Sequence, residues 1–378
     1  MNKILVKSII TMLSCVMVVG LQGCGSKDEA SEAEVNSKIA WSFKVQGTIS
    51  SSPVSYENDI IFGSNNKNLY SVDSTTHEEK WTFASDSSID TTPIVDGDSI
   101  IFTNQTSCYA VDAKSGQELW KYASGASETK KVDQWDIHAP SPILYKDLVI
   151  FPSQSGTIYA INKGDGSLAW EYAAPGVSEI RSTPSIQENK MSFGDIKGNC
   201  YVIDLDTQST IMQKSLGTNI VTSSLIYKDY VYFAGRDTKI VAYNLNDGSE
   251  KWSHTDSMGS WYTADIIAKD DVIYVGGSDN LKLQAFNYES GDNVVNYLSK
   301  SNIFSKPVIV DNIVYLTSGN AYSRKSGNVL AFDINDSSNK VLECTFKEAI
   351  FSSPLVLNDI VYFGCLDGNL YAVNPKAE

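Results

Sequence analysis

Positive charge is in short supply in this sequence relative to negative. Its 30 lysines and arginines face 45 aspartates and glutamates, giving a formal net charge of −15 over 378 residues. A surplus of that sign repels phosphate backbones and anionic bilayer surfaces, which argues against nucleic acid and acidic lipid as direct partners. Histidine is scarce too. His77, His138 and His254 lie far apart without ligand spacing, so no zinc site of ordinary pattern is expected. There is no Gly-x-Ser-x-Gly elbow, phosphate-binding glycine loop or EF-hand spacing, and turn chemistry explains the Asp-Gly pairs. No two cysteines are adjacent, and no long helical period occurs beyond the first two dozen residues.

What the sequence has in abundance is self-similarity. Tyr-Ala-Val-Asp-x-x-Ser-Gly-x-x-x-Trp, ending at Trp120, recurs in weaker copies at intervals of roughly 40 residues. Each copy opens on a Ser/Thr-Pro anchor: Pro53, Pro93, Pro142, Pro184, Pro307 and Pro354, with Ser224 and Asp265 standing in two others. The acidic or amide residue of the motif is Asp73, Asp112, Asn162, Asp204, Asn244, Asn287, Asp333 or Asn374. Trp81, Trp120, Trp170 and Trp252 follow it at fixed spacing, replaced elsewhere by Met212, Val295 and, in the seventh copy, Cys344. Runs such as Ile60-Ile61-Phe62 and Val361-Tyr362-Phe363 are β-branched and aromatic, preceded by polar pairs suited to tight hairpin turns.

This period predicts an all-β, eight-bladed β-propeller with four strands per blade. The eighth copy ends after its third strand. Ala40-Trp41-Ser42-Phe43, before the first anchor, reads like Lys80-Trp81-Thr82-Phe83 and is expected to supply the missing outer strand and close the ring. Trp41, Trp81, Trp120, Trp170 and Trp252 are then blade-docking residues, burying large rings between neighbouring blades. Cys108, Cys200, Cys344 and Cys365 read as core substitutions and not as a disulfide framework.

Residues 1–23 are expected to be a signal peptide: Lys3 and Lys7 precede an apolar stretch from Ser8 to Gly20, short for a membrane span. Leu21-Gln22-Gly23-Cys24 resembles the lipobox of bacterial lipoproteins, which implies cleavage before Cys24 and its lipidation. Residues 24–38 are polar and read as the lipidated cysteine and a flexible tether, leaving 39–378 as the propeller. The expected location is extracytoplasmic, on the bacterial cell membrane, or the outer membrane where the host has one.

The segment Ala110-Val111-Asp112-Ala113-Lys114-Ser115-Gly116-Gln117-Glu118-Leu119-Trp120 resembles the tryptophan-docking motif of quinoprotein-type propellers, with Ser for Thr. One branch of that family, the pyrroloquinoline quinone dehydrogenases, has an adjacent cysteine pair and a calcium site, neither of which can be matched here. The other branch comprises non-catalytic lipoproteins typified by BamB of the outer-membrane assembly machine. That resemblance implies a protein-binding scaffold without cofactor or catalysis. In that branch a Leu-Arg pair between the third and fourth blades docks a partner, and Ile180-Arg181 occupy similar positions here.

In a propeller, the connections between blades gather on one face. They vary most here, and the longest carries Trp135 and His138, outside the repeat pattern. Trp261-Tyr262 lie on an equivalent connection. Trp135, His138, Ile180, Arg181, Trp261 and Tyr262 are therefore the candidate binding face, aromatic and mixed in charge as interfaces are. Phe304 and Phe351 are expected to plug the channel mouth. An envelope protein is the expected partner; the alternative is a glycan or small ligand stacked on Trp135, Trp261 and Tyr262, and a quinone-dependent relative is a third possibility.

Overall fold

A computed structural model describes residues 37–125, 139–153, 155–237, 239–256 and 261–377. The strands form eight four-stranded antiparallel sheets arranged as the blades of a ring. In blade 1 they are Val54–Tyr56, Asp59–Gly63, Asn68–Asp73 and Glu79–Ala84. Most contacts between the strands of neighbouring blades run from one first strand to the next, which sets these short strands innermost. The last blade is completed by Ile39–Lys44, which pairs antiparallel with Asn369–Val373 and places Trp41 opposite Ala372. The ring thus closes through the N-terminal strand, removing the free edge that blade 8 would otherwise present. Among the described residues no helix is long and apolar enough to cross a membrane.

Local chemistry makes each blade. The polar pairs between first and second strands adopt the left-handed turn that a hairpin needs, with φ of 51° and 64° at Asn358 and Asp359. A second-strand Phe stacks on the Tyr opposite it in the third strand. Phe62–Tyr70, Phe102–Tyr109, Phe151–Tyr159, Phe193–Tyr201 and Phe363–Tyr371 have ring centroids 5.4, 5.1, 5.5, 5.0 and 5.7 Å apart. The core lies between blades, not within them. Leu69 and Trp81 of blade 1, for example, cluster with Ile100, Phe102 and Val111 of blade 2. Cys108, Cys200, Cys344 and Cys365 are buried free thiols in this core.

The indoles reach across these seams. Trp81, Trp120 and Trp252 donate Nε1–H to the carbonyls of Ala113, Lys163 and Tyr288 at 3.0, 2.9 and 3.0 Å, each in the next blade. Their rings lie on Gly116, Gly166 and Gly291, which hold φ near 70° and leave no room for a Cβ. Trp170 is half-buried in the seam between blades 3 and 4. Trp41 meets a different surface: His77 stands at the glycine position of blade 1 with φ of 63°, and the two rings stack at 4.8 Å. In blade 6, where Val295 replaces tryptophan, Tyr297 donates its hydroxyl to Ile334 O at 3.1 Å. Ile334 holds the position of Ala113 and Lys163, so a phenol two residues later makes the bond that an indole makes elsewhere.

Two sequence assignments are corrected. Cys344 does not hold the tryptophan position of blade 7. Leu342 does, facing Ala331 as Trp120 faces Ala110, and Cys344 faces Val329. Register shifts on both sides of Phe332 absorb the extra residues and move the frame by two. Asp265 does not replace a proline. Ile266 directly precedes the first strand of blade 6, Ile267–Lys269, and Asp265 stands at the Ser/Thr position before it.

Candidate functional site

Each first strand leaves the channel face, the second returns to it, and the third and fourth repeat the traverse. The connections into the first strands therefore share one face with the turns between second and third strands. Two positions ahead of each first strand, hydroxyl-bearing in most blades, organise this face. The first stitches a connection to its own blade: Ser182, Ser305 and Ser352 donate to Gly194 O, Thr317 O and Gly364 O at 3.1, 2.8 and 2.9 Å. The second links blades around the axis. The backbone N–H groups of Thr92, Ser141, Lys306 and Ser353 donate at 2.9 Å to the side chains of Ser141, Thr183, Ser353 and Ser52. Asp265 accepts from Ser223 N–H at the same distance, so a carboxylate serves where a hydroxyl usually does.

The residues one step further out narrow the channel. Ser50, Asp90, Ala139, Arg181, Val221, Phe304 and Phe351 line its mouth, above the tier of Ser52, Thr92, Ser141, Thr183 and Ser353. The space between them is about 570 Å³, open to solvent. Phe304 and Phe351 are buried and meet edge to face at 5.5 Å, closing one side of the mouth. Among the described residues no group of three or more His, Cys, Asp or Glu side chains is placed to hold a metal.

The expected binding residues separate on this face. Ile180 and Tyr262 have no exposed surface, which corrects their assignment to it. Ile180 packs with Phe193 and Tyr201 in the seam between blades 3 and 4. Tyr262 is pinned by its N–H to Gly235 O and donates its hydroxyl to Gln284 Oε1 at 2.9 Å; burial pushes its phenol far up. Both connections fold their apolar side chains inward because the seam is where the core lies. Arg181 is 4% exposed and lines the channel, its guanidinium 3.0 Å from Glu179. Trp261 is half-buried, with the Arg236 guanidinium 5.1 Å from its ring centroid and its carbonyl accepting from Ser278 N–H. Trp135 and His138 fall outside the described residues, as does Cys24.

The arginines form a further pattern on this face. The chain has only three arginines, Arg181, Arg236 and Arg324. Arg181 lies on the connection before Ser185–Gln187, while Arg236 and Arg324 lie in turns between second and third strands. All three are on the channel face, together with Trp261, the one described tryptophan outside the docking positions. Counting arginines apart from lysines would have found this.

Comparisons with known proteins agree with the ring. The chain is 24% identical over 202 residues to the outer membrane protein assembly factor BamB of Francisella salina, covering 51% of this chain and 37% of that one. It is 31% identical over 93 residues to a tetrathionate hydrolase of Acidithiobacillus ferrooxidans, 24% of this chain and 18% of that one. The chain therefore spans well under two thirds of either relative. The crystal structure of BamB from Moraxella catarrhalis superposes with a TM-score of 0.65 at 19% identity, over 75% of this chain and 85% of that one. The computationally designed Ika8 protein gives 0.72 at 15% identity, over 88% and 97%. A europium-containing methanol dehydrogenase gives 0.57 at 12%, over 75% and 85%; likenesses at such identities speak for the fold alone. The family model for outer membrane protein assembly factor BamB matches residues 30–254 and 236–377, nearly all of the propeller, and the chain belongs to that family.

Proposed function

We propose that this chain is a non-catalytic scaffold of the bacterial cell envelope, tethered through lipid on Cys24 and binding another envelope protein with its channel face. The observation that carries this reading is the half-buried Trp261 on that face, its ring backed by the buried Arg236 guanidinium, with Arg181 lining the channel mouth and Arg324 in a turn of the same face. Arginine and tryptophan dominate protein interfaces because each combines a large contact surface with directed polar groups. The BamB family match and the lipobox-like Leu21 to Cys24 support the same reading.

The test is photocrosslinking in the source cells from position 261 of the full chain, with Cys24→Ala as a companion. One dominant protein adduct, and loss of the chain from the membrane fraction in Cys24→Ala, is the expected result. Diffuse adducts would sink the docking face. A second reading, binding of a glycan or small ligand, draws on the hydroxyl-lined channel. Retention on a glycan array that disappears in Trp261→Ala would favour it. The quinone-dependent alternative predicts an absorbance change on titration with pyrroloquinoline quinone and calcium.

A further inference from the structure

The outer strand of each blade pairs with one neighbour and leaves its other edge without a strand partner. Such an edge is a template for a further strand unless charge blunts it. Every outer strand but one carries a lysine or a glutamate, as Lys44, Glu171 and Lys214 illustrate. The exception is the outer strand of blade 6, Asn293–Leu298, whose sequence Asn-Val-Val-Asn-Tyr-Leu bears no charge. Among the described residues it is also the one strand with two exposed large apolar side chains, Val294 at 53% and Leu298 at 64%.

The backbone of this edge is set out for pairing. Ser299 donates its N–H to Leu281 O at 2.8 Å, Leu298 faces Lys282, and Asn296 faces Gln284. Antiparallel bonding alternates along a strand. The backbone groups of Val295 and Tyr297 therefore turn to the third strand, and Asn296 and Leu298 turn their N–H and C=O to the free edge. The strand is held in place, because Val295 and Tyr297 pack with Val314 and Leu330 of blade 7. A bulge at Val294 marks its start. Asp292 precedes it and Lys300 follows it, both exposed. Lys300 reaches Glu343, a carboxylate that Lys340 pairs with as well.

We infer that the occupant of this edge is a second copy of the chain, paired antiparallel about a two-fold axis through Asn296. In that register Asn296 faces its own copy, and the two exchange backbone N–H to C=O bonds. Leu298 of each copy faces Val294 of the other, which covers both exposed apolar side chains. Asp292 of each copy faces Lys300 of the other, an opposite-charge pair on either side of the axis. Moving the axis to Tyr297 or Leu298 sets Val294 or Asn296 against Lys300, so one register alone matches apolar with apolar and acid with base. Charge also selects the surface. Two chains that each carry a formal −15 repel one another, and this edge meets its copy with no charge in the strand and complementary charges at its ends. The contact makes one continuous sheet of two four-stranded blades. It uses neither Trp261 nor the channel mouth, and it does not depend on the scaffold reading.

A single strand pair is smaller than a standard interface, so the dimer should dissociate on the order of tens of micromolar. Sedimentation equilibrium of the full chain in density-matched detergent, from about 1 to 500 µM, measures it. The expected result is a monomer–dimer equilibrium within that range. Val294→Lys with Leu298→Lys sets lysine against lysine across the axis and should weaken the dimer about tenfold or more. Val294→Lys with Leu298→Glu sets lysine against glutamate and should return the affinity to within about threefold of the parent. Both positions are exposed, so neither variant should shift the melting temperature of the chain. A parent that stays monomeric throughout, a dimer indifferent to the paired lysines, or a lysine–glutamate variant as weak as the double-lysine one would overturn the inference. A monomeric result leaves the scaffold reading standing while this one fails.

Discussion

At the scale of the residue, the seam between blades turns on whether a turn position carries a side chain. Gly166 has φ of 71°, and an added Cβ would lie 2.8 Å from the Trp120 ring. Gly166→Ala should therefore lower stability by about 1–3 kcal/mol through overpacking and the left-handed backbone together. Urea midpoints at constant slope would measure it, and a loss below about 0.5 kcal/mol would mean that the indole simply moves. Asp86 offers a pH test. Burial pushes its carboxyl up, but Lys121 at 2.8 Å, Asn104 and Tyr109 outweigh this and hold it well below the usual carboxylate range. With the folded value depressed, its contribution is complete above the unfolded value of about 3.9 and is lost as pH falls through the folded one. Asp86→Asn should thus lose less stability than the parent between about pH 5 and 3, as urea midpoints across that range would show. The turn aspartates Asp73, Asp112 and Asp204 are also depressed, so some acid sensitivity remains in the variant.

At the scale of the element, the closing strand Ile39–Lys44 carries more than its length suggests. Trp41 and Phe43 pack against a cluster shared by blades 8 and 1, which includes Phe62, Tyr70 and Leu370. Deleting residues 1–44 should lower the melting temperature and broaden the transition, and a synthetic peptide of residues 37–45 should restore both in calorimetry. An unaltered transition in the truncated chain would contradict this account of closure. This strand was legible in the sequence because Trp41 and Phe43 repeat the spacing of Trp81 and Phe83. The outer strand of blade 7 was not, because its register shifts break the count from Asp333 and lend Cys344 a false alignment. Substitution between positions is equally opaque: nothing in the order of residues says that Tyr297 reaches the carbonyl that a tryptophan two places earlier reaches elsewhere.

At the scale of the whole molecule, the sequence reads the ring far better than it reads the face. Repetition reports the ring eight times over, whereas each connection on the face occurs once. Ile180 and Tyr262 look available beside Arg181 and Trp261, yet both turn inward, because a connection crosses a seam before it reaches the rim. The pairing of Arg236 with Trp261 joins two different blades and leaves no local trace. Closure by the first strand also has a directional consequence. Ile39 faces Val373 and Lys44 faces Asn369, so the chain enters the ring on the side opposite the channel mouth. That side bears the turns holding Asp73, Asp98, Asp112, Asp206 and Asp271. If Cys24 carries lipid as proposed, the propeller hangs by its acidic underside, which an anionic bilayer repels, and Trp261 lies on the face turned away from the membrane.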